Sequence, residues 1–341
     1  MIEVDGAYGE GGGQLVRTAV ALSALTGKAL RLTGVRAKRG RPGLAPQHLA
    51  AVRAVAALCD ARCEGLELRA SGFTFEPRAR PAGSELRVDV GTAGSITLVL
   101  QALLPILLGA SGPSRAVVTG GTDVRQAPTW DYFCQVLLRL LGGMGLRVRA
   151  SLGRRGYYPR GGGEVAVEVH PGVPATLRVQ HGHSLHVSGE AHVAHLPLAI
   201  AERMRAAALA ALGSEARIGA RALRPEEAIG TGGAITLWAE SGASVLGASR
   251  VAERGVRAEA LGEAVAAELA AELASGAALD LHAADQVLVY LAMAGEPSSF
   301  TARAVSSHAR TAMWLIEQFL PARFSVESDG ALARIGVTPG V

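Results

Sequence analysis

Aromatic residues and lysine are scarce in this chain. Phe, Trp and Tyr make up 4% of the 341 residues, so Ala, Val and Leu must fill any core of a sequence that is 49% hydrophobic. Lysine occurs only as Lys28 and Lys38, so 32 of the 34 basic residues are arginine. The net charge of +4 allows an anionic partner but does not require one.

Cysteine is too scarce for a disulfide framework, because the chain has only three cysteines. A reducing compartment fits this count. Residues 1–5 are acidic and lack the basic segment of a signal peptide. The longest apolar run, residues 96–110, is interrupted by a glutamine and a proline and is too short to span a bilayer. The sequence therefore predicts a soluble cytoplasmic protein without a membrane segment.

Common nucleotide and hydrolase patterns are also missing. Gly27 and Lys28 lack the upstream glycine and the following Ser or Thr of a P-loop. The run Gly9-Glu10-Gly11-Gly12-Gly13 does not spell G-x-G-x-x-G, and no G-x-S-x-G occurs. These absences disfavour the common nucleotide-binding folds and an α/β-hydrolase.

An internal repeat organises the chain. Residues 1–77 predict the order β-α-β-α-β-β, with a glycine loop after the first strand and Pro46 opening the second helix. The same order begins again at Glu85. Gly91-Thr92-Ala93-Gly94 lies 82 residues after the first glycine loop, and Ala127-Pro128 lies 82 residues after Ala45-Pro46. A constant offset at two features indicates a repeat.

A third, diverged copy fits the C-terminal part. Its first strand is expected near 177–181, and it continues with a helix over 282–294, a strand over 298–303, a helix containing His308, and strands over 323–328 and 332–336. The intervening segment does not repeat, so we interpret 184–276 as a smaller α/β domain inserted into the third repeat. Residues 1–183 and 277–341 then form the large domain, and the predicted fold class is α/β (α+β).

His308 is the first candidate for catalysis. Ser306 and Ser307 are typical helix-start residues, and apolar residues follow at helical spacing. His308 would then lie in the first turn, where the helix field disfavours imidazolium and attracts phosphate. A neutral imidazole facing a phosphate could be a nucleophile. The alternative is a histidine that is merely packed at a helix start.

The first glycine loop offers an anion site and a metal ligand. Its glycines let backbone N–H groups approach an anion, and the following helix adds partial positive charge. Arg17 follows Gln14 by three residues, so both could face the loop. Glu10 could hold a divalent metal. A tight turn with a solvated Glu10 is an equal alternative.

Two further stretches carry polar side chains that could belong to a binding site. The loop 36–43 carries four basic side chains, and Gln47 and His48 follow it, which fits a phosphate cradle or a solvated surface loop. Asp285 and Gln286 lie in an otherwise apolar helix, at the repeat position of the first glycine loop.

The segment 155–163, Arg-Gly-Tyr-Tyr-Pro-Arg-Gly-Gly-Gly, joins two strands and has more glycines than a turn requires. A histidine cluster between 181 and 195 includes His181 and His183, which could share a strand face and bind metal. No Cys or carboxylate lies at matching spacing, so an ordinary structural role is favoured there.

These stretches together resemble the RNA 3′-terminal-phosphate cyclase family. The segment 155–163 is similar to the family signature. The other resembling stretches follow in the same order over essentially the whole chain: 6–14, 42–44, 47–48, 120–123, 284–286 and His308. The resemblance implies three β-α-β-α-β-β repeats with an inserted domain.

The resemblance also implies an activity and a set of site residues. The activity is conversion of an RNA 3′-phosphate to a 2′,3′-cyclic phosphate, through a covalent His308–AMP and an RNA–pp–A intermediate, with ATP and a divalent metal (Mg or Mn). Glu10 corresponds to the metal ligand. The resemblance assigns nucleotide binding to eight residues: Gln101, Pro128, Tyr132, His282, Ala283, Ala284, Asp285 and Gln286. It assigns contacts near the phosphates to four more: Arg17, Arg39, Gln47 and His48.

Two departures and two rival functions accompany this resemblance. Tyr132 stands where Phe is expected, and His282 where Tyr is expected, although both keep a ring. One rival is a catalytically inactive cyclase-like RNA-processing factor, against which His308 argues. The other is a carboxyvinyl transferase-like enzyme, which needs no covalent nucleotide. The oligomeric state stays open, with a homodimer among the alternatives.

Overall fold

The structure is a computed structural model that describes residues 1–179, 186–213, 215–241 and 244–340. Within these ranges the strands form four sheets, and helices lie between many of the strands along the chain. The predicted α/β class is therefore confirmed. In the part of the chain that the structure describes, no helix combines the length and apolarity needed to cross a bilayer.

The first unit has the predicted order of elements. They are β1 (Ile2–Asp5), α1 (Gly13–Thr26), β2 (Leu30–Thr33), α2 (Pro46–Leu58), β3 (Arg62–Glu64) and β4 (Phe73–Glu76). β1 and β2 are parallel, and the other two pairings are antiparallel, which gives the sheet order β1-β2-β4-β3.

The second unit contains an interrupted helix. Its elements are β5 (Glu85–Asp89), α3 (Ile96–Leu108), β6 (Ser114–Gly120), α4 (Trp130–Tyr132), a π-helical turn (Phe133–Leu137), α5 (Leu138–Gly143), β7 (Arg147–Gly156) and β8 (Gly163–His170). β5 and β6 are parallel, and the order is β5-β6-β8-β7.

The chain then begins a third sheet with β9 (Arg178–Val179) and leaves it. The following elements are β10 (His186–Ala194), α6 (Leu198–Leu212), β11 (Arg217–Leu223), a 3-10 turn (Pro225–Glu227), β12 (Ala228–Ile229), β13 (Gly232–Ser241), β14 (Ser244–Val251) and α7 (Ala258–Ser275). Four of these strands form a sheet in the order β11-β10-β13-β14. β12 instead pairs with β7 of the second unit, a contact that the sequence pattern did not indicate.

The remaining elements complete the third sheet. They are α8 (Leu281–Gln286), α9 (Leu288–Ala292), β15 (Ser298–Ala302), α10 (Ser307–Phe319), β16 (Arg323–Asp329) and β17 (Leu332–Thr338). The single helix expected over 282–294 is divided into two short helices by Val287. The sheet order is β9-β15-β17-β16, with β9 and β15 parallel.

Three sheets thus share one strand order, in which the first and second strands are parallel neighbours and the fourth lies between the second and third. One core cluster runs through all three units, with Val4, Leu100 and Phe300 as fully or nearly fully buried members. A separate cluster, including Leu237 and Leu269, lies in the segment between β9 and α8. The division into a large domain of 1–183 and 277–341 and an inserted domain of 184–276 stays a prediction.

Gly156, in the glycine-rich segment 155–163, is packed too tightly for a side chain. A Cβ on Gly156 would lie 2.3 Å from the backbone nitrogen of Gly163. The buried Arg155 guanidinium donates to Asp123 at 2.9 Å and to both oxygens of Asp131, at 2.7 and 2.9 Å. Burial opposes the charge of Arg155, but the two carboxylates outweigh it and raise the pKa of Arg155. Arg155 therefore joins the end of β7 to α4 and to the loop that precedes it.

Replacing Arg155 by Ala should destabilise the fold strongly, because it leaves the fully buried Asp123 carboxylate without its counter-charge. Removal of one partner of a buried ion pair costs about 3–5 kcal/mol. Urea denaturation measures the change in unfolding free energy, and Arg154→Ala, at the exposed neighbouring position, is the control. An Arg155→Ala variant as stable as Arg154→Ala would contradict this account.

Candidate active site

A cleft of about 700 Å³ opens where the three units meet β14. Its walls come from the first glycine loop, α1, α3, the loop before α4, α8 and α10. Twelve of the fourteen predicted site residues line it: Glu10, Arg17, Arg39, Gln47, His48, Gln101, Pro128, Tyr132, His282, Asp285, Gln286 and His308. Residues that are far apart in sequence are therefore neighbours here.

His308 occupies the first turn of α10, as the sequence predicted. The Ser306 hydroxyl accepts a hydrogen bond from the backbone N–H of Ala309 at 2.9 Å, which caps the helix. Burial, together with the charges of Arg17 and Arg39, lowers the pKa of His308, although Glu10 acts in the opposite direction. The imidazole is therefore neutral at neutral pH, and its 43% exposed side chain is accessible from the cleft.

Glu10 joins the glycine loop to the His308 helix. Its Oε2 lies 3.2 Å from His308 Nε2 and 3.2 Å from the Arg39 guanidinium, and its Oε1 accepts a 2.7 Å hydrogen bond from Ser307. Burial opposes ionisation, but the Ser307 hydrogen bond, the imidazolium that His308 forms at the acid pH where Glu10 titrates, and the Arg39 guanidinium outweigh it and lower the pKa of Glu10. The cleft thus presents an ionised carboxylate beside a neutral imidazole.

A polar chain crosses the cleft floor from the first unit to the third. Arg17 donates to Gln101 Oε1 at 3.4 Å, and the Gln101 amide donates to Gln286 Oε1 at 2.8 Å. Arg17 is only 6% exposed, and its Nε has no partner in the described structure. Burial lowers the pKa of Arg17 to about 10, so it stays charged. A buried cation with an unused donor is suited to an anionic ligand.

Gln47 and His48 are held by the backbone. Gln47 Oε1 accepts from the Ser95 N–H at 3.1 Å, and His48 Nδ1 accepts from the Ala45 N–H at 3.2 Å. Burial and the nearby Arg17 and Arg36 lower the pKa of His48 to about 3, so this ring is neutral. A Cβ on Gly13 would lie 2.0 Å from His48 Nε2, which explains why the loop ends in glycine.

Tyr132 supports the opposite wall. It is 1% exposed, and its hydroxyl donates to Asp280 Oδ1 at 2.7 Å. The other Asp280 oxygen accepts from the Gly247 N–H at 2.8 Å, so this carboxylate ties α8 to β14. The His282 ring stands edge-on to Tyr132, with ring centroids 6.4 Å apart.

His282 adds charge where the family resemblance implies an uncharged ring. Its Nε2 lies 3.5 Å from Glu268 Oε1, and the hydrogen bond to Glu268 raises the pKa of His282 to about 9. Arg250 binds the other oxygen of Glu268. Burial raises the pKa of Asp285 to about 7. The wall of the cleft therefore carries a cationic imidazolium and a carboxyl group that titrates near neutrality.

The two remaining predicted residues do not line the cleft. Ala283 and Ala284 lie on the buried face of α8. Sequence reasoning missed Arg125, Arg250 and Glu253, which do line it. Arg125 and Glu253 form an ion pair at 3.0 Å. Arg250 and Glu253 come from the non-repeating segment, and only its packing against the second and third units reveals them.

The structure describes only part of the histidine cluster between 181 and 195. His181 and His183 lie outside the described residues, and the Nε2 of His195 is 3.1 Å from the Ala228 carbonyl oxygen. Among the residues that are described, Asp123, Asp131 and His192 could together hold a metal ion. The Arg155 guanidinium already binds both carboxylates. A cationic side chain therefore occupies the place that a metal ion would take.

The electrostatic account of His308 predicts opposite shifts for two substitutions. Glu10→Gln should lower the His308 pKa further, because the carboxylate stabilises imidazolium, and Arg39→Ala should raise it. NMR titration of ¹³C-labelled histidine rings in metal-free buffer measures both, and His308→Asn assigns the signal. Arg41→Ala, an exposed position in the same loop, is the control. Shifts of the same sign in both variants would contradict the account.

Comparisons with known proteins show which family the chain belongs to. The family model described as RNA 3′-terminal phosphate cyclase matches residues 8–326. RNA 3′-terminal phosphate cyclases from three organisms are similar over nearly their whole length. The protein from Nitrosospira multiformis is 50% identical over 99% of this chain and 97% of its own. Those from Pyrobaculum neutrophilum and Methanopyrus kandleri are 43% and 42% identical, covering 96% and 99% of both chains. The chain therefore belongs to the RNA 3′-terminal phosphate cyclase family, as its sequence resemblance predicted.

Proposed function

We propose that this protein uses ATP to convert an RNA 3′-terminal phosphate to a 2′,3′-cyclic phosphate, through a covalent His308–AMP and an RNA–pp–A intermediate. The observation that carries the proposal is the neutral His308 imidazole at a helix start, 3.2 Å from Glu10, in a cleft lined by arginines. A neutral ring nitrogen has the lone pair that attack on phosphorus requires.

In the first step, His308 attacks the α-phosphorus of ATP in line, and pyrophosphate leaves. Negative charge develops on the transferred and departing phosphoryl oxygens, and the cleft meets it with Arg17, Arg39 and the N-terminus of α10. Gln14 donates to the His308 carbonyl oxygen at 3.4 Å, so the first unit also holds the backbone of the nucleophile.

In the second step, the RNA 3′-phosphate takes AMP from His308 and forms RNA–pp–A. The adjacent ribose 2′-OH then attacks the activated phosphorus, which closes the cyclic phosphate and releases AMP. This last step is intramolecular, so correct positioning supplies much of its rate. Arg39, Gln47 and His48 would hold the RNA phosphate, because they line the same cleft as Glu10 and Arg39 reaches Glu10 directly.

The nucleoside of ATP would occupy the wall formed by Gln101, Pro128 and His282, with Asp285 and Gln286 beside it. Tyr132 supports this wall from beneath rather than offering an open ring face, because it is buried and bound to Asp280. His282 makes this wall cationic, whereas the resemblance leads one to expect an uncharged Tyr at this position.

Glu10 fits the role of a divalent metal ligand. Its carboxylate is ionised and lies among groups suited to phosphates, and Mg²⁺ commonly binds one or two carboxylates together with substrate phosphates. When bound, Mg²⁺ or Mn²⁺ would neutralise charge on the phosphoryl oxygens.

The cytoplasmic location and the possible homodimer stay predictions from the sequence.

Product analysis of a short RNA with a 3′-phosphate tests the proposal. With ATP and Mg²⁺, we expect an end that resists phosphatase, with one AMP and one pyrophosphate formed per end. A terminal 2′-deoxynucleotide lacks the second nucleophile, so its reaction should stop at the adenylated end. An RNA with a 3′-OH should not react. A 3′-phosphate that stays phosphatase-sensitive would contradict the proposal.

A further inference from the structure

An exposed aromatic pair lies beside the cleft. The rings of Tyr8 and Trp314 are stacked, with centroids 3.8 Å apart and planes 18° apart. Tyr8 is nevertheless 41% exposed, and Trp314 is partly buried against the core. Trp314 covers one face of the tyrosine ring, and the exposed part of Tyr8 is available to a planar ligand.

The pair belongs to the same contact between α10 and the glycine loop that holds Glu10 beside His308. Ser307, Thr311 and Trp314 follow one another along one face of α10. They meet consecutive residues of the glycine loop: Ser307 binds Glu10, Thr311 abuts Gly9 and Trp314 stacks on Tyr8. Trp314 is six residues after His308, or about 9 Å along the helix axis. The stack thus lies about two turns from the proposed nucleophile.

The fit of the loop to α10 does not depend on an exposed ring. The 2.7 Å hydrogen bond from Ser307 already holds Glu10. A Cβ on Gly9 would lie 2.3 Å from Thr311 Oγ1, so the loop backbone at Gly9 is in close contact with α10. An exposed tyrosine adds a flat surface that this packing does not use.

Cationic side chains lie at positions that adjoin the stack. Lys38 donates to the Gly9 carbonyl oxygen at 3.2 Å, and Arg39 reaches Glu10. Arg310 is exposed and precedes Trp314 by one helical turn. Aromatic faces beside basic side chains are the means by which proteins bind single-stranded nucleic acid, because every base has a face that can stack.

We propose that the Tyr8–Trp314 stack is a platform on which a base near the 3′ end of the RNA stacks. The inference rests on the proposed function, since the occupant is the RNA substrate. The cleft of about 700 Å³ holds the reacting groups, so a longer strand must leave it across the rim. The rim beside Glu10 and His308 carries the stack and its cations, and single-stranded RNA is recognised largely through stacking.

A double-mutant cycle between protein and RNA tests the platform. Fluorescence anisotropy measures the affinity for a 5′-labelled, 3′-phosphorylated oligonucleotide without ATP, intact or with one abasic site at each of its last three positions. Tyr8→Leu keeps an apolar side chain against Trp314 but removes the flat ring. We expect it to weaken binding of the intact strand about 5- to 150-fold, the range for loss of one stacked base.

One abasic position should weaken wild-type binding equally and cause no further loss in Tyr8→Leu. Tyr8→Phe should restore the affinity and the response to that abasic site. Tyr158→Leu, the same change at a 75% exposed tyrosine that does not line the cleft, is the control and should bind like wild type.

Two results would overturn the platform: wild-type affinity in Tyr8→Leu, or equal weakening of its binding to intact and to every abasic strand. The second result would mean that Tyr8 acts through the loop and not on a base. Because no ATP is present, this binding measurement can be interpreted even if the protein does not cyclise RNA. Conversely, absence of coupling between Tyr8 and an abasic position would not contradict the proposed cyclisation.

Discussion

The contact between Glu10 and His308 is the constraint on which the site depends. It joins the first unit to the third, 298 residues apart, and Ser307 and Arg39 hold the carboxylate in place. The imidazole stays neutral because burial and the nearby arginines outweigh the single carboxylate. If either unit moved, the proposed nucleophile would lose its position beside Glu10.

The repeated sheets explain how such distant residues converge. Each unit directs helices towards the same cleft: α1 carries Arg17, α3 carries Gln101, and α10 carries His308. The segment between β9 and α8 closes one side with Arg250, which shares Glu268 with His282. A site made by several units tolerates little relative movement of those units. Within the second unit, the buried Arg155 ion pairs hold β7 to α4 and to the loop before it.

Local patterns predicted much of this structure. Serines before an apolar helical stripe placed His308 in the first turn, and the constant 82-residue offset exposed the repeat. Contacts that depend on tertiary packing were not predictable: the division of the expected helix at Val287, the pairing of β12 with β7, and the cleft positions of Arg250 and Glu253. Helical spacing also could not show that Tyr132 would be buried against Asp280. Glycines in 155–163 indicated an unusual turn, but only the packing shows the close backbone contacts they permit.

Covalent labelling tests the central claim most directly. The purified protein is incubated with ATP labelled at the α-phosphate and a divalent metal, without RNA, and the labelled peptide is identified by mass spectrometry. We predict an acid-labile AMP on His308, absent from a His308→Asn variant whose circular dichroism matches that of wild type. Label that persists in His308→Asn, or that maps to another residue of the wild type, would contradict the account.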